Sequence, residues 1–457
     1  MVPRKQTLML SLCTGVMAVV RASGDPTTAP VQMAKDYLHR ASGEIALINS
    51  SGEQNFVLTD WLYAKAAFDS PADVDQTIRL ATNTFDPDEK PEKEGDTGIT
   101  SKASLRSFQL CQLADSYAKN GNIPGAKKTL AWADLAIADI AKTNDWGRET
   151  ELERVAKVRA RIGDVDGAVA ALMKIKHPQN RAECTNHVAE VAKAAGRPND
   201  AKVFIGMAFK IWDQVTDTAS QPRKDMARMD LLVTSGDFAG ARQIIDKYPH
   251  TRFRSLAFLA IRQFEAGDTA GSAKTVSDYL ASNEATDPLK ATNVSYLANS
   301  LAKDGDQPGA MLCLRHAIDL ASRPVPPDQA KQAADIQLGV QCDVVEVEAA
   351  TGQIDAAKMT FASLKEFPFD ALQFSLQESI RLAEMKAGRF AEAEADIAAN
   401  GYHTNLFSYL GARLVRHGDF GGVESAVKSL PNPEDRAYVF IGAARGLASG
   451  SIDDLVL

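Results

Sequence analysis

Small and apolar residues recur in this chain at fixed distances from a series of glycines. Seven residues before each glycine most copies hold Ala, and the position before that is mainly Leu, Val or Ile. Five residues after each glycine most copies hold Ala again. Apolar positions at helical spacing on both sides of a turn predict pairs of packed helices, whose small side chains allow a close approach. The ten copies begin at Gly121, Gly163, Gly196, Gly236, Gly267, Gly305, Gly352, Gly388, Gly418 and Gly450.

The residues around each glycine are typical of a tight turn between two helices. Glycine ends a helix in the left-handed conformation without a side-chain penalty, and a side-chain oxygen in the next residue can cap the following helix. Such an oxygen is present at Asn122, Asp164, Asp237, Asp268, Asp306, Asp419 and Ser451. Successive glycines are about 37 residues apart on average, which is the period of one helix–turn–helix repeat.

The spacing of a small residue, a glycine seven residues later and an Ala five residues after that resembles the tetratricopeptide repeat. Three copies have a further Ala seven residues on, at Ala133, Ala208 and Ala317. The resemblance covers about residues 101–457, although the bulky aromatic residue early in the first helix is mostly missing and the period varies. It implies an all-α fold, a right-handed α-solenoid of about ten stacked helix–turn–helix repeats with an N-terminal helical cap.

The first residues differ from the rest of the chain. Basic residues near the start are followed by an apolar run at 8–20 and by small residues at 22–24, which is the pattern of a secretory signal peptide at residues 1–24. The run is too short to span a membrane. We therefore expect an exported protein, periplasmic or extracellular. The alternative is a cytoplasmic protein with a helical or disordered N-terminus.

Composition divides the remaining chain further. Residues 25–85 are interpreted as an N-terminal helical cap of degenerate repeats, and residues 86–100 as an acidic linker, because the segment is too polar to bury. Residues 101–457 form the predicted repeat array. A proline-rich stretch at 322–328 predicts a bend within it.

The charge balance restricts the class of partner. Lys and Arg number 51 against 59 Asp and Glu, giving a net charge of −8. Nucleic-acid binding needs a basic excess, so a protein or peptide partner, with basic character, is expected instead. No stable membrane span is predicted.

Motifs for catalysis or cofactor binding are absent from the sequence. There is no glycine-rich phosphate loop, no GxSxG elbow and no HExxH, so neither an enzyme nor a cofactor is predicted. Glu183, His187 and Glu190 share one helical face and are the weak candidate for a metal site. Polar residues on one helical face are more often the solvated face, so no metal is predicted.

A helical-repeat array presents a groove lined by its first helices. In the register that the resemblance implies, groove residues lie six and ten positions before each glycine. The polar ones form the candidate binding set: Asp115, Glu153, Asn186, Glu190, Asp230, Asn299 and Glu346. The sequence therefore favours a non-enzymatic scaffold or assembly factor that binds a protein or peptide.

Two other interpretations remain open. One is a toroid-like α/α enzyme with helix-borne carboxylates, in which the first and last hairpins would join. The other is a purely structural subunit of a larger complex. The last hairpin is short and apolar, at Ile452 and Leu455 to Leu457, and predicts an oligomer contact through the C-terminal end.

Overall fold

The computed structural model describes residues 29–48, 51–70, 72–83, 102–140, 145–215, 221–248, 252–282, 287–364, 370–387, 389, 392–393 and 404–448. Within these ranges the regular elements are helices and there is no strand, which confirms the all-α prediction. The predicted signal peptide, the acidic linker and the apolar C-terminal residues lie outside the described residues. No helix in the described ranges is long and apolar enough for a membrane crossing.

The helices follow one another in antiparallel pairs joined by short turns, so the chain is a helical-repeat protein. They are α1 (Ala29–Ile45), α2 (Ser51–Ala66), α3 (Val74–Asn83), α4 (Lys102–Lys119), α5 (Ile123–Ala138), α6 (Asp145–Arg161), α7 (Val165–Leu172), α8 (Pro178–Ala194), α9 (Pro198–Gln214), α10 (Gln221–Ser235), α11 (Phe238–Ile245), α12 (Arg252–Glu265), α13 (Thr269–Leu280), α14 (Ala291–Lys303), α15 (Gln307–Ala321), α16 (Ala330–Ala350), α17 (Ile354–Ser363), α18 (Asp370–Lys386), α19 (Thr404–Arg416), α20 (Phe420–Ser429) and α21 (Pro433–Ala448).

The chain divides into two compact units. The first unit joins residues 1–176 to residues 402–457, and the second contains residues 177–401. This division differs from the predicted domains, because the N-terminal helices share a unit with the last hairpins of the array. The reason lies in contacts between residues that are far apart in sequence.

The predicted turn glycines have the conformation that the repeat requires. The eight that lie in described residues have φ between 73° and 90°; Gly388 and Gly450 lie outside those residues. After each of the eight, the next residue donates its N–H to the carbonyl five positions earlier, at 2.7–2.9 Å. This hydrogen bond closes the first helix and turns the chain towards the second.

The residue after the turn glycine caps the second helix in six copies. Its side-chain oxygen accepts a hydrogen bond from the backbone N–H three residues later, and in every one of these copies the donor is a second glycine. The pairs are Asn122 with Gly125, Asp164 with Gly167, Asp237 with Gly240, Asp268 with Gly271, Asp306 with Gly309, and Asp419 with Gly422. A Cβ atom at the second glycine would lie within 3.0 Å of the capping side chain. The copies at Gly196 and Gly352 have neither a capping acid nor the second glycine.

In the first unit, α1 packs along α21, so the beginning of the chain contacts its last described helix. The Tyr37 and Phe440 rings stack with centroids 6.0 Å apart, and the Arg40 guanidinium lies 4.2 Å from the Phe440 ring centroid. Arg40 also pairs with Glu424, and Arg436 pairs with Glu44 at 2.8 Å. Burial of the aromatic rings dominates the stabilisation, since half-exposed ion pairs contribute little.

The packing of α1 corrects two expectations about the ends of the array. The predicted N-terminal cap does not cover only the first repeat, because α2 contacts both α4 and α21. The apolar side chains of α21, including Val439 and Ile441, are buried. The absent partner helix of the last hairpin, which favoured an open end, is thus replaced at α21 by α1.

Helices α19 and α21 cross at backbone contact. A Cβ atom at Gly442 would lie 1.8 Å from the Ser408 carbonyl oxygen, and one at Gly411 would lie 2.0 Å from the Val439 carbonyl oxygen. Gly446 faces Ala412 in the same way, at 2.6 Å from its carbonyl oxygen. The crossing therefore requires residues without side chains on both helices.

In the second unit the core continues across the predicted bend. Residues 322–328 connect α15 to a short 3-10 turn at Pro327–Gln329 before α16. Leu314 and Leu320 before this connection belong to the same buried cluster as Val340 and Val344 after it. The proline-rich stretch is therefore a connection within one core, and no division between units occurs there.

Removing a cap should reverse the effect of its partner glycine. We expect Asp237→Ala to lower the free energy of unfolding by about 1 kcal/mol. Gly240→Ala alone should bring no gain, because its Cβ would lie 2.5 Å from Asp237 Oδ2 and displace the cap. In the Asp237→Ala background, Gly240→Ala should instead stabilise the protein by about 1 kcal/mol, since Ala is the better helix former. Urea unfolding of the four proteins measures this cycle, and an identical effect of Gly240→Ala in both backgrounds would contradict it.

The backbone crossing should be intolerant of a single methyl group. We expect Gly442→Ala to destabilise the protein by about 1–3 kcal/mol, because α19 and α21 must separate to admit the Cβ atom. Gly206→Ala is the matched control, since a Cβ atom at this helical glycine meets nothing within 4 Å. The control should leave stability unchanged or raise it by up to about 1 kcal/mol. Thermal unfolding followed by circular dichroism compares them, and equal melting temperatures would argue against the close crossing.

Candidate functional site

Most of the predicted groove residues bind to neighbouring first helices. Arg161 on α6 donates a hydrogen bond to Asp115 on α4 at 2.6 Å. Asn299 on α14 donates to Glu346 on α16, and Lys303 lies 3.2 Å from the same carboxylate. These polar side chains tie successive first helices together, so they are already engaged in the free protein.

Two further predicted residues have local environments. Glu153 pairs with Lys157 one turn further along α6, at 2.7 Å. Asn186 on α8 is buried, and its side-chain oxygen has no hydrogen-bond partner among the described residues. Neither residue presents an accessible charge without a partner.

The structure does bring Glu190 and Asp230 together, in the second unit. They belong to a group of five acidic residues on α8, α10, α12 and the end of α14, which we call the acidic patch: Glu183, Glu190, Asp230, Glu265 and Asp304. Arg262 lies at its centre, 3.7 Å from Glu190 and 2.8 Å from Glu265. Arg223 pairs with Glu183 through two hydrogen bonds of 2.6 and 2.7 Å. Five carboxylates thus face two guanidinium groups.

Asp230 is the least compensated member of the acidic patch. Burial raises its pKa to about 7, and the charge of Glu190 adds to this effect, while His187 and Arg262 oppose it. No described side chain donates a hydrogen bond to its carboxylate. Burial and the neighbouring Glu265 also raise the pKa of Asp304. The patch therefore carries negative charge that its own arginines do not neutralise.

The weak metal candidate is not assembled. Glu183 turns to Arg223, and Glu190 lies near Arg262 and Thr234. Across the described ranges no group of three or more His, Cys, Asp or Glu side chains is arranged to hold a metal ion.

A buried carboxylate in the first unit was missed by the sequence analysis. Glu151 on α6 is 5% exposed, and burial raises its pKa to about 7, although Arg154 lies 3.3 Å away and opposes the shift. The Arg154 guanidinium in turn lies 4.5 Å from the Phe108 ring centroid on α4. Glu151 stands outside both groove columns, and its charge predicts a solvated position, so no sequence signal identifies it.

No protein-family model matches this chain, and no curated protein matches it either. Two solved structures are similar to it at low identity. Ton1535 from Thermococcus onnurineus NA1 is 15% identical, with 77% of this chain and 99% of that chain covered and a TM-score of 0.27. A circular tandem repeat protein with novel repeat topology and enhanced subunit contact surfaces is 12% identical, with 96% and 98% covered and a TM-score of 0.20. At these values neither structure bears on function.

The raised pKa of Asp230 should make its effect on stability depend on pH. An acid whose pKa is higher in the folded than in the unfolded state loses stabilisation as pH rises, from the unfolded pKa near 4 up to the folded pKa. Asp230→Asn removes this cost, so the variant should melt at the same temperature as the parent near pH 5 and at a higher one near pH 8. Asp335→Asn, at an exposed position on α16, is the control and should show no such difference. An Asp230→Asn shift that is equal at both pH values would contradict the assignment.

Proposed function

We propose that this chain is a non-enzymatic scaffold or assembly factor that binds a basic segment of a partner protein at the acidic patch. The observation that carries the proposal is the uncompensated charge around Asp230. The proposal includes the tetratricopeptide-like character of the repeats and the right-handed stacking of about ten hairpins. It also includes an exported location, periplasmic or extracellular, which rests on the residues before position 25.

A cation from a partner would supply what the patch lacks. Lys or Arg placed beside Asp230 and Glu190 would favour the ionised carboxylates and lower the pKa of Asp230. Binding would then release a proton below about pH 7. The attraction is stronger than at an open surface, because Asp230 and Asp304 are partly removed from water.

The extent of the patch favours a polypeptide over a small cation. Its carboxylates come from α8, α10, α12 and the end of α14, which are successive first helices. Packed helices lie about 8–10 Å apart, so four of them span roughly 25–30 Å. This is the length of about eight residues of extended chain. A peptide with several basic residues can contact the whole patch, whereas a small cation would meet one or two carboxylates.

Binding of a labelled basic peptide tests the proposal. We would measure fluorescence anisotropy with a peptide in which Lys and Arg alternate with Gly and Ser. The double variant Glu190→Gln and Asp230→Asn should weaken binding about tenfold, since it removes the two charges that the peptide neutralises. In the parent protein, binding should strengthen between pH 6 and pH 8 as Asp230 ionises.

The control removes the same charge elsewhere in the second unit. Asp328→Asn with Asp335→Asn changes two exposed carboxylates outside the acidic patch and should leave the affinity within about twofold. Equal weakening by both double variants would mean that only the net charge of the chain matters. Equal binding of a peptide with Ser in place of Lys and Arg would also overturn the proposal.

A further inference from the structure

A pocket of about 430 Å³ lies in the first unit, between α5, α6 and the residues that follow α7. Its size is within the range of ligand-binding pockets. Basic and apolar side chains line it, with one acid: Asp134, Ile137, Ala138, Arg148, Leu152, Lys174 and Lys176. We call it the basic pocket.

The acidic groups near the basic pocket are already paired. Asp145 accepts hydrogen bonds from Arg148 and from Lys176, the latter at 2.8 Å. Asp134 pairs with Arg159. The Lys174 side chain makes no ion pair or hydrogen bond with any described residue, so its charge is available to a ligand. The pocket thus has a cationic excess in a chain whose net charge is −8.

Large apolar side chains are exposed beside the residues that line the pocket. Leu135 is 65% exposed, Trp146 57% and Met173 54%. Leu135 directly follows Asp134, Met173 directly precedes Lys174, and Trp146 lies two residues before Arg148. Exposed apolar side chains that accompany a pocket with charged walls are typical of an interaction site.

We propose that the basic pocket and these three apolar side chains bind a segment of a partner protein in which acidic residues flank an aliphatic or aromatic side chain. The carboxylates of the segment would pair with Lys174, Arg148 and Lys176. Its apolar side chain would enter the pocket against Ile137 and Leu152 or cover the exposed residues.

The arrangement favours a peptide over other anionic ligands. Leu135, Trp146 and Met173 are not part of the pocket lining, so a ligand that contacts them must extend beyond the cavity, as a polypeptide does. Nucleic acid needs many cations along its phosphates. The pocket offers three, of which two share Asp145 with each other.

This site is independent of the acidic patch. The two lie in different compact units and carry opposite charge. A partner segment that binds one is repelled by the other. Failure of the basic-peptide experiment would therefore leave this inference untouched.

The test uses the full chain and a fluorescein-labelled peptide in which Glu and Asp flank a Phe-Leu pair, with Gly and Ser at both ends. Lys174→Glu should weaken binding about tenfold, and Lys174→Glu with Arg148→Glu should weaken it further, because each reversal replaces an attraction with a repulsion. Lys127→Glu, at an exposed position on α5 outside the pocket, should remain within about twofold of the parent. Circular dichroism melts verify that all three variants are folded.

A second readout reports the apolar part of the site. With an unlabelled peptide, the tryptophan emission of the parent should change on titration, and Trp146→Phe should remove most of that change. A peptide with Ser in place of Phe and Leu should bind at least about tenfold more weakly. The acidic-patch double variant should bind the acidic peptide like the parent.

Three results would overturn the inference. The first is equal weakening by Lys127→Glu and Lys174→Glu, which would show non-specific attraction. The second is undiminished binding of the peptide that lacks Phe and Leu. The third is equally tight binding of a single-stranded oligonucleotide of the same charge, which would show a general anion site.

Discussion

The fold depends on one backbone constraint, a glycine in the left-handed conformation at the end of each first helix. At this position the next residue can return its N–H to the carbonyl five residues earlier, which ends the helix and reverses the chain direction. Where that next residue is Asp or Asn, its side chain also starts the following helix, and a second glycine leaves room for it. One short segment thus ends one helix and begins the next, so each hairpin is determined locally.

The polar positions of the first helices serve mainly to join neighbouring repeats. Asp115 with Arg161, and Asn299 with Glu346, connect helices that belong to successive hairpins. Pairing of this kind consumes the charges that a groove would otherwise offer to a ligand. Around Asp230 the acids outnumber the guanidinium groups, and the unbalanced charge remains as a shifted pKa. The proposed function depends on this local imbalance and not on the groove register as a whole.

The first unit is held together by residues from both ends of the chain. The α1–α21 contact, with Tyr37 against Phe440, closes a loop of several hundred residues. Closure of so long a loop costs conformational entropy, although the cost increases only slowly with length. Extensive burial along α19 and α21, made possible by glycines at their crossing, offsets it. The stability of this unit consequently depends on tertiary packing more than that of any single hairpin does.

By itself the sequence determined the helical class, the positions of the turns and the capping residues, because these depend on the backbone preferences of Gly, Asp and Asn over a few neighbouring positions. The glycine three residues after each cap was equally readable, since its pattern is local as well. The tertiary structure alone decided that α1 lies on α21, that Glu151 is buried, and that Arg148, Lys174 and Lys176 surround one pocket. It also decided which predicted groove acids are neutralised and which are not. These outcomes depend on side chains that meet across helices, and no periodicity along the chain specifies which helices become neighbours or how their charges balance.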